Sequence, residues 1–117
     1  MKNKLILTLV IMITVLGISF GQSKSRNLKV VIKTNIYCSH CKECESCGGR
    51  LTAGFAKIKG VKKYDLDDKK MNISVTFEPA LVNIMTIKKA ISMMGFDADE
   101  IKADPIAYDN LDGCCKK

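Results

Sequence analysis

The 117-residue chain has few of the residues that typically indicate an enzyme or a nucleic-acid-binding protein. It contains no Trp, and only 6% of its residues are aromatic, which is too few for a platform that stacks the bases of single-stranded nucleic acid. Two Pro residues and a hydrophobic content of 47% exclude a collagen-like chain and a wholly disordered one. The length also excludes a large multi-domain enzyme.

Catalytic groupings are missing as well. The only His is His40, and no orienting partner for it is recognisable, so the sequence gives little support for catalysis by a Cys–His pair. We find no nucleophile–base pair, no glycine-rich phosphate loop and no paired acidic residues. The sequence therefore predicts a protein that is not an enzyme.

Basic residues are frequent but scattered. The formal net charge is +7, from 19 Lys and Arg residues against 12 Asp and Glu residues. Between positions 57 and 70 the Lys residues are interleaved with Asp65, Asp67 and Asp68, whereas a nucleic-acid-binding protein typically has a clustered basic face. We interpret the Lys residues as a solvated surface and expect no nucleic-acid partner.

The first 21 residues have the pattern of a signal peptide. A short basic start is followed by an apolar run over 5–20, and Ser19 and Gly21 are small residues at the positions that a signal peptidase recognises. We expect cleavage near Gly21 and export to the periplasm or the cell exterior. The alternative is an uncleaved membrane anchor, which would give the only membrane contact, but the run is shorter than the roughly 20 residues that a spanning helix needs.

The rest of the chain predicts a single small domain at 28–102. It follows a flexible lead-in at 22–27 and precedes a tail at 103–117 that we expect to be mobile, with a helical turn near 105–111. Alternating apolar residues predict strands, and apolar residues that recur every three or four positions predict helices. The predicted elements are, in order, strand 28–34, helix 42–58, strand 61–67, strand 71–77, helix 84–94 and strand 96–102.

The predicted order of elements is typical of the α+β class. A βαββαβ order gives a ferredoxin-like fold, in which two helices cover one face of a four-stranded antiparallel sheet. Gly60 and Gly95 are expected to end the two helices. The residues expected in the core are Leu28, Val30, Ile32, Met71, Ile73, Val75 and Phe77 from the strands, and Leu51, Phe55, Ile58, Ile84, Ile87 and Ile91 from the helices.

Four of the six cysteines recur at every third position between the first predicted strand and the first predicted helix. We call them the cysteine ladder; it consists of a first pair, Cys38 and Cys41, and a last pair, Cys44 and Cys47. A CxxC spacing at the start of a helix lets two thiolates converge on one ion, and the positive helix N-terminus favours thiolate over thiol. Thiolates select soft cations, so the ladder predicts a site for Cu(I), Zn(II), Hg(II) or Cd(II).

This arrangement resembles the heavy-metal-associated domain family, which includes small copper chaperones, modules of metal-transporting P-type ATPases and the periplasmic mercury-binding protein. The shared features are the CxxC between the first strand and first helix, Gly60-Val61 after that helix, Asp65-Leu66-Asp67 in the second strand, and the segment 87–96. The resemblance implies that the chain sequesters or relays a metal ion. It also implies a metal donor or acceptor as partner, such as a metal-transporting membrane protein. Lys62 and Lys63 are candidates for offsetting the negative charge of the thiolate–metal centre.

Two features of the resemblance select different pairs of the ladder. Family members usually carry Met two residues before the first ligand, and Ile36 occupies that place if the first pair is the site. Members also place the first ligand about 16 residues before the Gly of the Gly-Val step, and counting back from Gly60 gives the last pair. A six-residue insertion that duplicates the CxxC explains both counts and predicts a site with four thiolates.

The remaining candidate ligands have alternatives. His40 is either a further ligand or an exposed loop residue. Cys114 and Cys115 seldom bridge each other as neighbours, because that ring strains the peptide. They are further soft-metal ligands, bridge back to the ladder, or have no special role. The ladder itself could instead hold structural disulfides, exchange disulfides or bind an iron–sulfur cluster. The alternative function is a thiol-redox or disulfide-stapled interaction module.

Overall fold

The computed structural model describes residues 26–37 and 45–116. The predicted signal peptide, the ladder cysteines Cys38, Cys41 and Cys44, and His40 lie outside the described residues. Within the described part of the chain, no helix combines the length and the hydrophobicity that crossing a membrane requires.

The centre of the fold is an antiparallel sheet. Its strands are β1 (Leu28–Lys33), β2 (Val61–Asp67) and β3 (Asn72–Phe77), and β3 lies between the other two. Apolar and polar residues alternate strictly along β3, so one face of the sheet is apolar. The register continues that face, because Val75 lies opposite Val30 of β1 and Tyr64 of β2.

Two helices of equal length cover the apolar face. Helix α1 is Cys47–Ala56 and helix α2 is Ile84–Met93, each of 10 residues. The segment after α1 ends at Gly60, with a φ of +103°, and α2 is followed by Gly95, with a φ of +100°. This left-handed backbone conformation favours glycine, and Gly95, directly after the cap residue Met94, confirms the predicted end of α2. Helix α1 ends at Ala56 with Lys57 as its cap residue, so it ends earlier than the predicted residue 58, and Gly60 turns the chain into β2 instead of capping the helix.

Most of the predicted core is buried. Eight of the predicted residues are no more than 3% exposed: Ile32, Leu51, Phe55, Ile73, Val75, Phe77, Ile87 and Ile91. Leu28, Met71 and Ile84 are instead 48%, 43% and 41% exposed, so their assignment to the core is wrong. Leu28 and Ile84 begin elements and Met71 lies in a turn, so all three are at the margin of the area that the helices cover.

The fourth strand, predicted at 96–102, is absent as a strand from the described residues. This segment follows the edge of β1, where the Asp99 N–H donates to the Lys33 carbonyl and the Lys33 N–H donates to the Asp99 carboxylate, both at 2.8 Å. Asp99 has a φ of +53°, which turns the backbone and interrupts a ladder of hydrogen bonds. Only an isolated bridge between Ala98 and Ile101 forms, so the described sheet has three strands.

The C-terminal tail folds onto the domain, which corrects the expectation that it is mobile. It forms helix α3 (Pro105–Asp109) and a 3₁₀ turn (Gly113–Cys115). The Asp104 carboxylate accepts a hydrogen bond from the Ala107 N–H at 2.9 Å and so caps α3. Leu111 is only 4% exposed and belongs to the same core as the sheet and the two helices, so the tail is part of the packed unit.

Candidate metal centre

Cys47, the last cysteine of the ladder, is the first residue of α1. Its side chain is fully buried. The residue before it, Ser46, makes no side-chain capping hydrogen bond, and the first turn of α1 contains no acidic residue. The N–H groups of a first helical turn have no partner within the helix, and they give this end a partial positive charge. The start of α1 therefore offers backbone N–H groups and a positive potential to a negatively charged group bound there.

A disulfide joins Cys47 to Cys115 of the tail. The two residues are separated by 68 positions in sequence, and their Cα atoms lie 6.5 Å apart. Cys115 is 2% exposed, so the bridge is buried at both ends, while the neighbouring Cys114 is exposed with its Sγ 4.0 Å from that of Cys115. A bridge from the tail to the ladder is one of the alternatives that the sequence leaves open. A sulfur in this bridge is no thiolate, so Cys47 gains ligand chemistry only on reduction.

Contacts on both sides of the bridge hold the tail in place. The Arg50 guanidinium, on the first turn of α1, donates to the Asn110 carbonyl at 2.5 Å. At the end of α2, a Cβ added to Gly95 would lie 2.9 Å from the Ala107 carbonyl oxygen, so the backbone of α3 packs closely against that glycine. The tail thus spans from α1 to α2 and brings Cys115 onto the start of α1.

A cavity of about 320 Å³ lies beside the bridge. Of the two bridged cysteines, only Cys115 is among the described residues that line it. Tyr37, which directly precedes the ladder, also lines it, as do Asp97 and Lys102, whose charged groups are 3.6 Å apart. The Lys102 side chain is 84% exposed, so the cavity reaches solvent on that side. The cavity therefore leads from solvent to Cys115.

Two Lys residues that were expected near the metal centre lie at the opposite end of α1 from Cys47. Lys62 and Lys63 are candidates from the sequence for offsetting the charge of a thiolate–metal centre. They lie at the start of β2, next to the end of α1, whereas Cys47 lies at the beginning of that helix, about 15 Å away along its axis. Lys62 instead pairs with Glu78 at 3.4 Å. Their role at a metal centre stays a prediction, because the first three ladder cysteines lie outside the described residues.

The structure tests only part of the predicted ligand set. Cys38, His40, Cys41 and Cys44 lie outside the described residues, so their assignment as ligands stays a prediction. Among residues 26–37 and 45–116, no three His, Cys, Asp or Glu side chains are grouped so that they could hold a metal ion. Ile36, the residue at the place where family members usually carry Met, is 4% exposed and belongs to the core.

Sequence reasoning missed the residues that position Cys115. Arg50 and Leu111 carry no motif, and their partners lie 60 or more positions away or on other elements of the fold. The one available signal was the apolar Leu111 four residues before Cys115, which predicts some burial of the tail but not its docking site.

The sequence from 43 to 97 matches the family model described as "Heavy-metal-associated domain". The matched segment includes the last pair of the ladder, and the first pair precedes it. Comparison with curated protein sequences gives no match.

Solved structures of several known proteins have a similar fold. Oxidized MerP from Ralstonia metallidurans CH34 has 20% sequence identity and a TM-score of 0.52, with 63% of this chain and 96% of that chain covered. A copper binding domain from HMA7, a P-type ATPase, has 25% identity and a TM-score of 0.50, with 61% and 89% covered. The CsoZ metallochaperone has 19% identity and a TM-score of 0.50, with 62% and 97% covered.

Proposed function

Because residues 43–97 form a heavy-metal-associated domain, we propose that this chain binds a soft metal cation through cysteine thiolates and sequesters it or passes it on. The observation that supports this most directly is the position of Cys47. It begins α1 at a helix end without a side-chain cap, inside the segment that matches the family. The metal ion is cargo in this proposal, and no catalytic step is involved.

We propose the last pair of the ladder, Cys44 and Cys47, as the primary site. The family match begins at position 43, directly before Cys44, and Cys47 has the helix N-terminal place that favours thiolates. Cys38 and Cys41 then serve as added ligands that complete a four-thiolate site, with His40 as a further candidate. Four sulfurs suit tetrahedral Zn(II) or more than one Cu(I) ion.

Copper is the first cargo to test, and Zn(II), Hg(II) and Cd(II) are the other candidates. One of the similar structures, at 25% identity, is described as a copper binding domain of a P-type ATPase. The proposed partner is accordingly a metal-transporting membrane protein or another donor or acceptor with cysteine ligands. Transfer by ligand exchange suits thiolates, since an incoming sulfur can replace one ligand at a time.

We further propose that the protein acts after export. The sequence of residues 1–21 has the signal-peptide pattern, and the buried Cys47–Cys115 disulfide is typical of an oxidising compartment such as the periplasm. Mass spectrometry of the chain purified from its native compartment tests this. A mature N-terminus near Gln22 is expected, and an intact Met1 in the membrane fraction would contradict cleavage.

Metal titration tests the function. The chain from Gln22 onward, reduced and kept anaerobic, is titrated with Cu(I), Zn(II) and Hg(II) while bound metal is followed by native mass spectrometry. We expect at least one ion per chain, and more than one if the duplicated site is used. Reduced chain that binds none of these ions with its thiols accessible would refute the proposal.

Paired variants identify the primary site. Cys44→Ala/Cys47→Ala is expected to abolish the tightest binding, whereas Cys38→Ala/Cys41→Ala, the matched control with the same number of thiols, should lose stoichiometry first. The opposite ranking would make the first pair primary. Equal losses would indicate one shared four-thiolate centre.

A thiol-redox or disulfide-stapled module is the second candidate, and the Cys47–Cys115 disulfide is the observation that favours it. In that case the bridge would be the functional group and the ladder would hold no ion. The same titration separates the two, because a redox module has accessible thiols after reduction yet no stoichiometric metal.

A further inference from the structure

We propose that the Cys47–Cys115 disulfide is a redox gate on the metal centre, opened by a small external thiol that enters the cavity beside the tail and attacks Cys115. This inference rests on the proposed function, since it needs Cys47 to be a metal ligand. It adds a regulatory role for the tail and a class of reaction partner, a low-molecular-weight thiol.

The bridge makes Cys47 unavailable as a thiolate ligand. In the bridged state the sulfur of Cys47 is bonded to that of Cys115, and the side chain of Cys47 is fully buried. A disulfide sulfur is not a thiolate and does not serve as a ligand for a soft cation. The last pair of the ladder therefore loses one of its two ligands. The bridged protein is therefore closed to metal at this pair.

Contacts of the tail with the domain hold Cys115 next to Cys47. Leu111 is buried in the common core, and Arg50 of α1 donates to the Asn110 carbonyl at 2.5 Å. These contacts do not involve the sulfurs, so they hold the tail next to Cys47 after reduction as well. Cys115 consequently stays close enough to form the bridge again when conditions become oxidising.

The two bridged cysteines differ in their access to the cavity. Cys115 lines the cavity of about 320 Å³, and Cys47 is not among the described residues that do. A molecule entering from the side of Lys102 meets Cys115 first, and the volume is enough for a small thiol. The structure thus distinguishes the two ends of the disulfide: Cys115 receives the nucleophile and Cys47 is the leaving group.

The chemistry balances with thiols alone. A thiolate RS⁻ attacks the Sγ of Cys115, an R–S–S–Cys115 mixed disulfide forms, and the bond to Cys47 breaks to release Cys47 as a thiolate. A second RS⁻ attacks the R sulfur of the mixed disulfide, which releases Cys115 as a thiolate and RSSR as product. The protein gains two electrons, and two thiols are oxidised. The thiolate of Cys47 is then available to a metal ion.

Metal binding measured in two redox states tests the gate. The mature chain is bridged with a limiting oxidant, the bridge is mapped by peptide mass, and Cu(I) affinity is measured by competition with a chelator before and after reduction. We expect affinity at least about 100-fold weaker in the bridged form, since losing a direct ligand costs more than losing an outer-shell partner, which costs about 10- to 100-fold.

A variant isolates the contribution of the tail. Cys115→Ala cannot form the bridge, so the same limiting dose of oxidant should leave its metal affinity near that of its own reduced state. Ile106→Ser is the matched tail control, because Ile106 is 74% exposed, and it should behave like the unchanged chain. Equal loss of affinity in Cys115→Ala and the unchanged chain, or oxidation that maps to Cys44–Cys47 instead, would overturn the gate.

The two proposals fail differently. If the bridged and reduced forms bind metal equally tightly, the gate is wrong and the metal-binding function stands. If neither form binds metal, the function itself is refuted and the gate with it.

The site of thiol attack is tested with glutathione as the probe. Bridged chain is exposed briefly, quenched with acid and mapped, and the mixed disulfide is expected on Cys115 with Cys47 released. Ala103→Leu, which adds volume to the cavity lining, should slow release of Cys47, whereas Ile106→Leu should not. A variant that fails to fold would be reduced faster, not slower. An adduct on Cys47, or an unchanged rate in Ala103→Leu, would overturn entry through the cavity.

Discussion

Helices α1 and α2 are equally long and cover the same face of the sheet, but they begin differently. At the start of α2, the Asn83 side chain accepts a hydrogen bond from the Thr86 N–H at 2.8 Å. At the start of α1, Ser46 has helical backbone angles and makes no such bond, although Ser is a good capping residue. Beyond their C-terminal ends the two helices share a left-handed glycine, which directly follows the cap residue in α2 (Gly95) and lies three residues beyond it in α1 (Gly60).

The difference lies in how the N–H groups of the first helical turn find partners. A capped N-terminus satisfies a backbone N–H and stabilises a helix, which is what α2 has and what Asp104 does for α3. The start of α1, at Cys47, lacks the stabilisation that a side-chain cap provides. An uncapped helix end keeps its N–H groups and its positive potential for another negative group, and a thiolate or thiolate-bound metal is such a group.

The largest effect on stability is expected at the start of α1, where the disulfide joins Cys47 to the tail. Cys115→Ala should lower the free energy of unfolding of the oxidised protein by about 2–4 kcal/mol, because a bridge across 68 positions restricts the unfolded chain. Urea unfolding measures this. Reduced protein is the control, in which the variant should differ little from the unchanged chain. A variant as stable as the oxidised chain would mean that the bridge contributes nothing.

The glycines after the two helices should respond alike. Gly60→Ala and Gly95→Ala are each expected to destabilise by about 1–3 kcal/mol, because both need a left-handed φ and the added Cβ would lie 2.8 Å from Leu81 Cβ or 2.9 Å from the Ala107 oxygen. Thermal unfolding checks this. Gly49, inside α1, has nothing within 4 Å of an added Cβ, so Gly49→Ala should instead stabilise by about 0.4–1 kcal/mol. Destabilisation by Gly49→Ala would contradict the comparison.

The caps themselves give the next effect. Asn83→Ala should cost about 1 kcal/mol, because it removes the bond to the Thr86 N–H, while Ser46→Ala should stay within about 0.5 kcal/mol. Denaturant unfolding of the two variants, measured in the same buffer, makes the comparison. An equal cost for both would show that Ser46 caps α1 in solution and would remove the contrast between the helices.

The smallest effect is expected from an ion pair of α2. Lys88 lies 3.0 Å from Glu100 and 3.1 Å from Asp99. Hydrogen bonding to Glu100 and then to Asp99 raises the pKa of Lys88, and bonding to its own backbone N–H and to Lys88 lowers the pKa of Glu100. The Glu100 contribution is present above its ordinary pKa of 4.5 and is lost as the pH falls below it.

Lys88 gives the opposite dependence. Its contribution is present below its ordinary pKa of 10.5 and is lost as the pH rises through the raised value. Glu100→Gln should therefore lower stability slightly at pH 7 and flatten its fall below pH 4.5. Unfolding as a function of pH and salt measures this. A Glu100→Gln profile identical to that of the unchanged chain would show that the pair is not formed.

The sequence predicts the fold well where the signal is local. Alternation along β3 and the helical stripe of Ile87 and Ile91 are short-range patterns, and both elements form where expected. The fourth strand was predicted wrongly because apolar residues at 96–102 suggested it, whereas the left-handed backbone of Asp99 and its bond to Lys33 depend on β1 being beside it. Leu28 and Ile84 fit the apolar pattern, but the area covered by neighbours decided their exposure.

The candidate site divides in the same way. The ladder, its place before a helix and the metals it suits follow from spacing and thiolate chemistry, and residues 43–97 match the expected family. The partner of Cys47 does not follow, since Cys115 is 68 positions away and no local pattern selects it.

By itself, then, the sequence determined three of the four predicted strands, the two longer helices, and a run of cysteines at the start of the first helix. The tertiary structure alone decided that the tail packs on the domain, that Cys115 reaches Cys47 and that Cys115, but not Cys47, is among the described residues that line a cavity. The physical reason is range. Backbone preferences and hydrophobic periodicity act over a few residues, whereas the bridge depends on Leu111 entering a core and Arg50 bonding Asn110, contacts that exist only once the chain has folded.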